Sequence, residues 1–227
     1  MNTGKQQSKY RYERKFIIKP EAQYDFLLQL SKSGFSELHY ERTINNIYLD
    51  DYNFNSVIDN IEGVSNRKKT RIRWYGDILS NSEKVIEFKI KSSDVNRKEN
   101  IPLLKRKLDS LDNSSSFWEA IKNELEANNN HKYYSHQLFT LQPTLINSYR
   151  RNYYLNADES IRVTLDRDLF YYSPIYQTEA HDQHLVIEFK YNSEQILGEN
   201  LINNLVLTKY SKYVKGILAT STFKPTY

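Results

Sequence analysis

The chain has 227 residues, of which 39% are hydrophobic and 26% are charged, and this composition is typical of a folded protein. Its formal net charge of +4 is too small to indicate nucleic-acid binding by itself. The absence of cysteine excludes disulfides, thiolate chemistry and cysteine-ligated zinc. No apolar run approaches the length of a membrane span and no signal-peptide core is present, so we expect a cytoplasmic protein.

Alternating polar and apolar residues predict a series of strands in the first half of the chain. Residues 1–8 are polar and are expected to form a disordered tail, which leaves 9–227 as a single domain. Pro20 is expected to begin a helix that ends before Gly34, because proline is favoured in a first helical turn and glycine after the last one. The predicted strands of this half cover residues 9–18, 41–49, 67–75, 85–91 and a segment that begins at residue 97.

The second half predicts two helices and further strands. Phe117, Ile121 and Leu125 recur every four residues, which predicts an amphipathic helix over 114–126. Another helix is predicted over 193–207, and strands are predicted over 144–154, 161–170 and 185–191. About eight strands with few helices predict an α+β fold, in which an eight-stranded antiparallel β-barrel is flanked by helices. Because so many strands have a charged face, we expect a barrel with a lined interior, that is, a tunnel.

Two neighbouring strands with charged faces point most directly to function. Residues 67, 69, 71 and 73 are all Arg or Lys, and alternation places them on one face of their strand. On the next strand, Glu87 and Lys89 share a face. Like charges side by side destabilise a sheet, and an anion between the rows would remove that repulsion. The alternative is a solvated edge strand whose charges prevent aggregation.

The same alternation identifies candidate inward-facing charges along the whole chain. Arg binds phosphate oxygens in pairs and Lys acts as a point charge, while a few carboxylates suit a hard divalent cation that bridges protein and substrate phosphates. Together they predict a phosphoryl-transfer site. The alternative is that each Glu-x-Lys pair is a structural ion pair, and that Asp166 and Asp168 pair with arginines instead of joining a metal site. The candidate cations are Lys15, Arg71, Arg73, Lys89, Arg151, Arg162 and Lys190, and the candidate carboxylates are Glu13, Glu87 and Glu188.

Eight short motifs in a fixed order extend this interpretation. They are Arg11-x-Glu13-x-Lys15, Ile47-Tyr48-Leu49-Asp50, Arg67-x-Lys69-x-Arg71-x-Arg73, Glu87-x-Lys89, Tyr149-x-Arg151, Arg162-Val163-Thr164-Leu165-Asp166, Glu188-x-Lys190 and Ser211-Lys212-Tyr213. In this order they resemble the catalytic domain of the vacuolar transporter chaperone (VTC) polyphosphate polymerases, which belong to the triphosphate tunnel metalloenzymes (CYTH-like superfamily). The resemblance covers about residues 9–216. It implies a tunnel of eight strands in which the terminal phosphate of ATP is added to a growing polyphosphate chain with Mn²⁺ or Mg²⁺.

The resemblance also implies roles for individual residues. It implies metal binding by Glu188 and hydrogen bonds to substrate from Tyr149 and Ser211, and it implies phosphate binding by Arg71, Arg73, Lys89, Lys98, Arg151, Arg162 and Lys212. Without it, Tyr149 would be interpreted as a packing residue and Lys212 as a surface residue. The wider superfamily begins with Glu-x-Glu-x-Lys, and here Arg11 replaces the first Glu, which leaves one carboxylate fewer for a metal.

Several functions stay open at this point. A metal-dependent polyphosphate polymerase is the leading hypothesis, a triphosphatase that uses water is the alternative, and a non-catalytic module that binds polyphosphate is a third. The expected partners are ATP and inorganic polyphosphate, tripolyphosphate or pyrophosphate. Nucleic acid is not expected, since Arg71 lies on the face opposite to Ile72 and Trp74. Fungal members also contain an inositol-phosphate-sensing domain and membrane helices. We expect neither element within these 227 residues. A membrane-protein partner stays open.

Overall fold

The computed structural model describes residues 12–92, 95–127, 137–191, 199–202 and 205–222. The tail predicted over residues 1–8 and Arg11 of the first motif lie outside these ranges. The strands are β1 (Tyr12–Ile18), β2 (Phe35–Asp50), β3 (Arg67–Tyr75), β4 (Lys84–Ser92), β5 (Val95–Leu103), β6 (Gln142–Asn156), β7 (Ile161–Ser173), β8 (Thr178–Asp182), β9 (Leu185–Tyr191) and β10 (Val206–Leu207).

Helices separate groups of these strands along the chain. A 3-10 turn at Pro20–Ala22 leads into the first α-helix, as the proline predicts. The α-helices are α1 (Gln23–Lys32), α2 (Asn55–Glu62), α3 (Ser114–Ala127), α4 (Glu199–Ile202) and α5 (Lys212–Thr220). None of the described helices is both long and apolar enough to cross a membrane.

The strands hydrogen-bond in the order β10-β1-β9-β7-β6-β2-β3-β4-β5, and β8 pairs with β7. The pairs β1–β9, β1–β10, β2–β3, β3–β4, β4–β5 and β7–β9 are antiparallel. Antiparallel strands with flanking helices confirm the predicted α+β class. The described residues contain ten strands instead of about eight, because the short strands β8 and β10 have too few residues to show a period. Within the described residues the order ends at β10 and β5.

The prediction of a helix over 193–207 is wrong for its last two residues. Val206 and Leu207 form β10, because their backbone pairs with Ile17 and Phe16 of β1. Two apolar residues in sequence do not show whether they belong to a helix or to a strand that pairs with a distant segment. The helical part of this segment that the structure describes is α4, while residues 192–198 and 203–204 lie outside the described ranges.

Contacts divide the chain into two compact units, each with a core of its own. The first unit comprises the described parts of 1–42, 149–169 and 182–210. Alternate residues of β1, β7 and β9 meet α1 in its core, which includes Phe16, Leu30, Val163, Leu165, Ile187 and Phe189. Because these side chains occupy one face of each strand, the polar residues between them project from the other face.

The second unit comprises the described parts of 43–148, 170–181 and 211–227. One face of β3, β4 and β5 packs against α3, and this core includes Ile72, Trp74, Ile86, Phe88, Ile101, Phe117, Trp118 and Ile121. The residues between them along β3 and β4, such as Arg71 and Glu87, therefore lie on the face that does not meet α3.

Helix α5 packs closely against the sheet of the second unit at Gly216. A Cβ atom at this position would lie 2.4 Å from Leu145 Cδ2 and 2.6 Å from Tyr171 Cδ1. Both neighbours are fully buried, so neither can move aside without disturbing the core.

We expect Gly216→Ala to destabilise the protein by about 1–3 kcal/mol, the usual range for overpacking a core. Helix propensity alone predicts the opposite sign, a gain of about 1 kcal/mol. Urea denaturation followed by circular dichroism measures the difference, with Leu218→Ala on the exposed side of α5 as the control. A more stable Gly216→Ala variant would contradict the close packing.

Candidate functional site

The first candidate group of residues lies in the second unit and is called the Glu87 cluster. It comprises Lys69, Arg71 and Arg73 of β3, Glu87 and Lys89 of β4, and Lys98 of β5. Strand register creates it, since Arg71 lies opposite Glu87, and Lys89 lies opposite both Lys69 and Lys98. Strand alternation predicted the shared faces of Lys69, Arg71 and Arg73 on β3 and of Glu87 and Lys89 on β4, and strand register adds Lys98.

Glu87 is the centre of this cluster. Its Oε2 accepts a hydrogen bond from Arg71 Nε at 2.7 Å, and Arg71 Nη2 lies 2.5 Å from the same oxygen. Lys98 Nζ lies 2.8 Å from Oε1, and Arg73 Nη1 lies 3.6 Å from Oε2. Glu87 is only 5% exposed, and burial by itself would raise its pKa. Arg71, Arg73 and Lys98 outweigh burial and lower the pKa of Glu87 to about 2.

A row of lysines crosses the three strands beside Glu87. Lys69, Lys89 and Lys98 occupy matching positions on β3, β4 and β5. Like charges in adjacent positions of a sheet repel each other. Lys69 Nζ donates a hydrogen bond to Ser211 Oγ at 3.0 Å. This contact places Ser211, which the family resemblance predicts to hydrogen-bond substrate, beside the cluster. Lys212 follows directly as the first residue of α5.

A buried hydrogen-bond network fixes the beginning of α5. Tyr213 Oη donates to Asp50 Oδ2 at 2.7 Å and lies 2.8 Å from Thr144 Oγ1, and its ring stacks on Tyr48 with centroids 4.6 Å apart. Asp50 also accepts the backbone N–H groups of Ser56 and Val57 at the start of α2. Burial raises the pKa of Asp50, although the hydrogen bond from Tyr213 lowers it.

Asp50 and Tyr213 occur within the sequence motifs, but the sequence predicts no role for either. The structure shows that they hold Ser211 and Lys212 in place, since Tyr213 anchors the first turn of α5. Lys69 lies 5.7 Å from the Tyr213 ring centroid, so the same ring also positions a lysine of the cluster. No local signal identifies this network, because its members are distant in sequence.

The second group lies in the first unit and is called the Glu188 cluster. Its members are Glu13, Lys15, Tyr149, Arg151, Arg162, Asp166, Glu188 and Lys190. Register again creates it, because Lys190 lies opposite both Glu13 and Arg162, and Glu188 lies opposite Lys15. The predicted residues of β1, β7 and β9 are therefore on one face.

Two carboxylates in this cluster share two lysines. Lys190 Nζ lies 2.7 Å from Glu188 Oε1 and 3.7 Å from Glu13 Oε2. Lys15 Nζ lies 3.0 Å from Glu13 Oε1 and 3.6 Å from Glu188 Oε2. Burial opposes ionisation of Glu188, but Lys190, Lys15 and Arg151 hold its pKa well below the usual value. In β1 and β9, the lysine of each Glu-x-Lys motif therefore pairs with the glutamate of its own strand and, at a longer distance, with the glutamate of the neighbouring strand.

Arg151 is held by a carboxylate of its own. Its Nε and Nη2 donate to Asp166 Oδ1 and Oδ2 at 2.5 and 2.7 Å, and its guanidinium lies 5.3 Å from the Tyr149 ring centroid. Burial alone would lower the pKa of Arg151, but Asp166 and Tyr149 raise it well above the usual value. Asp168 pairs with Arg150 instead. The alternative in which the two aspartates pair with arginines is therefore the observed one.

Glu13 and Glu188 fit a divalent cation that takes only one or two of its ligands from the protein. In the described part of the chain, no group of three or more His, Asp or Glu side chains is arranged to hold a metal ion. Glu13 and Glu188, however, contact the same two lysines and supply hard oxygen donors. Mg²⁺ commonly binds one or two carboxylates and completes its shell with water and substrate phosphates. Glu87, by contrast, is the single carboxylate of its cluster, and three cations contact its two oxygens.

The pKa of Glu87 gives a pH-dependent prediction. A folded-state pKa of about 2, against a usual value near 4.5, stabilises the fold above pH 4.5, and this contribution is lost as the pH falls towards 2. We expect the stability difference between wild type and Glu87→Gln to shrink by about 2–3 kcal/mol between pH 6 and pH 2.5. Urea denaturation at the two pH values measures it.

A matched control for this variant is Glu83→Gln. The Glu83 side chain is 82% exposed, and its ion pair with Lys105 is long, at 3.9 Å. Its effect on stability should be small at either pH. A Glu87→Gln effect that does not change with pH would show that the ion pairs around Glu87 do not lower its pKa.

Comparison with known proteins places the sequence in a family. A model of the VTC domain matches residues 10–221. No curated protein gives a significant sequence match. The solved structures with similarity include the PH1819 protein from Pyrococcus horikoshii, at 10% identity over 91% of this chain and 98% of that chain, with a TM-score of 0.46.

Two further structures are similar at the same level. The Hippeastrum protein HpAC1, a candidate adenylyl cyclase described as having a dominant triphosphatase activity, is 16% identical over 80% of this chain and 79% of that chain, with a TM-score of 0.44. A candidate adenylate cyclase from Vibrio parahaemolyticus is 11% identical over 82% and 79%, with a TM-score of 0.42. These scores are too low to transfer an activity. The family model spans most of the sequence, and the chain therefore belongs to the VTC domain family.

Proposed function

We propose that this protein is a metal-dependent polyphosphate polymerase, which transfers the terminal phosphate of ATP onto a growing inorganic polyphosphate chain. Membership of the VTC domain family supports the substrate class. The observation that carries the proposal is the charge of the Glu87 cluster, in which five basic side chains accompany one carboxylate. A bound polyanion would remove their mutual repulsion, whereas a neutral ligand would not.

The carboxylates prepare the cations for phosphate binding. Glu87 holds Arg71 and Arg73 on one side of the sheet before any ligand binds, so little reorganisation is needed on binding. Each guanidinium has five N–H donors, and its planar geometry suits phosphate oxygens bound in pairs. Asp166 orients Arg151 in the same manner. Preorganised donors of this kind stabilise the charge that develops on a transferring phosphoryl group.

Further predicted residues take part in the proposal within each of the two clusters. Lys15, Lys89, Lys98, Arg162, Lys190 and Lys212 would bind phosphate oxygens as additional cations, and Ser211 and Tyr149 would donate hydrogen bonds. Glu13 and Glu188 would hold Mn²⁺ or Mg²⁺, which supplies further neutralisation of phosphate charge when bound. Lys15 and Lys190 would then turn from these carboxylates towards the phosphates.

Hydrolysis is the alternative reaction at the same residues. A triphosphatase needs the same phosphate donors and differs only in using water as the acceptor. Incubation of the protein with ATP and Mn²⁺ or Mg²⁺, followed by gel electrophoresis of the products, distinguishes the two. A ladder of polyphosphate supports the polymerase, release of inorganic phosphate alone supports the triphosphatase, and no turnover favours a binding module.

We expect tripolyphosphate to stabilise the protein strongly and in a salt-sensitive manner. Ligand at 100 times its Kd should add about 2.7 kcal/mol to the free energy of unfolding if only the folded state binds it. The effect should weaken at high ionic strength, because screening lowers the attraction between phosphates and exposed cations. A thermal-shift titration measures the change in Tm, and no change at millimolar tripolyphosphate would contradict the proposed site.

Two variants separate metal binding from phosphate binding. Glu188→Gln should lose turnover yet bind tripolyphosphate at least as tightly without metal, since it removes a negative charge near Lys15 and Lys190. Arg73→Ala should lose both turnover and metal-free binding, because a phosphate donor disappears. Calorimetry without metal and a Mn²⁺-dependent ATP assay measure the two effects.

The control for Arg73→Ala is Arg97→Ala, since Arg97 is a 70% exposed arginine whose carboxylate partner is Glu99. It should leave binding nearly unchanged. Full turnover in Glu188→Gln would remove Glu188 from the metal site. If Glu188→Gln and Arg73→Ala lose metal-free tripolyphosphate binding equally, Glu188 instead orients the lysines.

A further inference from the structure

A chain of alternating cations and aromatic rings begins at Arg151 of the Glu188 cluster. The Arg151 guanidinium lies 5.3 Å from the centroid of Tyr149 and 6.0 Å from that of Tyr153. The Arg42 guanidinium lies 5.8 Å from the centroid of the same Tyr153 ring and 5.2 Å from that of Tyr40. The contacts therefore lead from a proposed phosphate-binding arginine to a tyrosine on β2.

The outer end of this chain is accessible to a ligand. Tyr40 is 77% exposed, and the Arg42 and Tyr153 side chains beside it are half-buried. The His39 ring meets Tyr153 edge-on, with centroids 5.7 Å apart, and this contact helps to hold Tyr153 in place. Tyr40 therefore presents much of its ring to solvent next to a positioned guanidinium. We call Tyr40, Arg42 and Tyr153 the Tyr40 platform.

Stability alone gives little reason for this arrangement. Exposed cation–π contacts contribute little to stability, and the core of this unit lies elsewhere, around Phe16 and Phe189. A flat aromatic ligand, in contrast, can stack on Tyr40, and Arg42 can stack on it or donate hydrogen bonds to its acceptors. Every nucleobase has a π-face, so such a surface is suited to nucleobases.

From this geometry we propose that the Tyr40 platform binds the base of a nucleoside triphosphate whose phosphates contact Arg151 and the Glu188 cluster. The inference rests on the proposed function, which supplies the triphosphate. It deepens that function, because the platform distinguishes a nucleoside triphosphate from inorganic tripolyphosphate at the same cations. Stacking tolerates different bases, and a purine presents the larger π-face, so purine nucleotides bind more tightly than pyrimidine nucleotides.

The test compares two ligands that share the phosphates and differ in the base. Isothermal titration calorimetry without metal, at fixed ionic strength, gives the Kd of ATP and of tripolyphosphate for wild type and variants. Tyr40→Ala is expected to weaken ATP binding about fivefold or more, in line with the loss of a base–aromatic stack, and to leave tripolyphosphate binding within twofold. Tyr40→Phe keeps the ring and is expected to keep the ATP affinity.

Tyr24→Ala is the matched control. Tyr24 is 74% exposed, belongs to the same unit and lies on α1, so its removal takes away a similar exposed ring without touching the platform. It is expected to change neither Kd.

The outcomes separate this inference from the function on which it rests. Unchanged ATP affinity in Tyr40→Ala, or an equal loss for ATP and tripolyphosphate, would overturn the base site while the phosphate site stands. Equal affinity of wild type for ATP and for UTP would overturn the purine preference. If wild type binds neither ATP nor tripolyphosphate, the proposed function fails and the base site with it.

Discussion

The ion pairs around Glu87 are the interaction on which the proposed site depends. Arg71, Arg73 and Lys98 project from the sheet face opposite the apolar core, where adjacent cations repel each other. A single buried carboxylate offsets much of this repulsion and holds the Arg71 guanidinium, while Arg73 lies farther from it and donates a hydrogen bond to Asn46. The remaining cationic charge of the cluster then favours an anion as its natural counterpart. A neutral residue in place of Glu87 would leave the same cations without an organiser.

The Glu188 cluster shows the same design with a different balance. Its lysines are shared between Glu13 and Glu188, and Arg151 has Asp166 as its own partner. Because its carboxylates are more numerous, this cluster is the one in which we propose a divalent cation together with phosphate. Arg151 also lies near the Tyr149 and Tyr153 rings of β6, so it connects the proposed phosphate contacts with the proposed base site.

Helix α5 illustrates how remote contacts position a site residue. Ser211 and Lys212 lie at its first turn, and that turn is anchored by Tyr213 on Asp50, Thr144 and Tyr48. The lack of a side chain at Gly216 lets the helix lie close to Leu145 and Tyr171. The position of Ser211 next to Lys69 is therefore a consequence of packing along the whole helix rather than of the Ser-Lys-Tyr motif itself.

Alternation in the sequence determined which side chains share a face, because a strand has a period of two residues and one face must be apolar. That is why Arg71, Glu87, Lys15 and Glu188 could be placed in advance, and why the motif order identified the family. Only the tertiary structure decided which charges meet, since strand register and hydrogen bonds between distant segments set those distances. Asp166 on Arg151, Tyr213 on Asp50, and the pairing of β10 with β1 all depend on such long-range contacts, and no local pattern of residues encodes them.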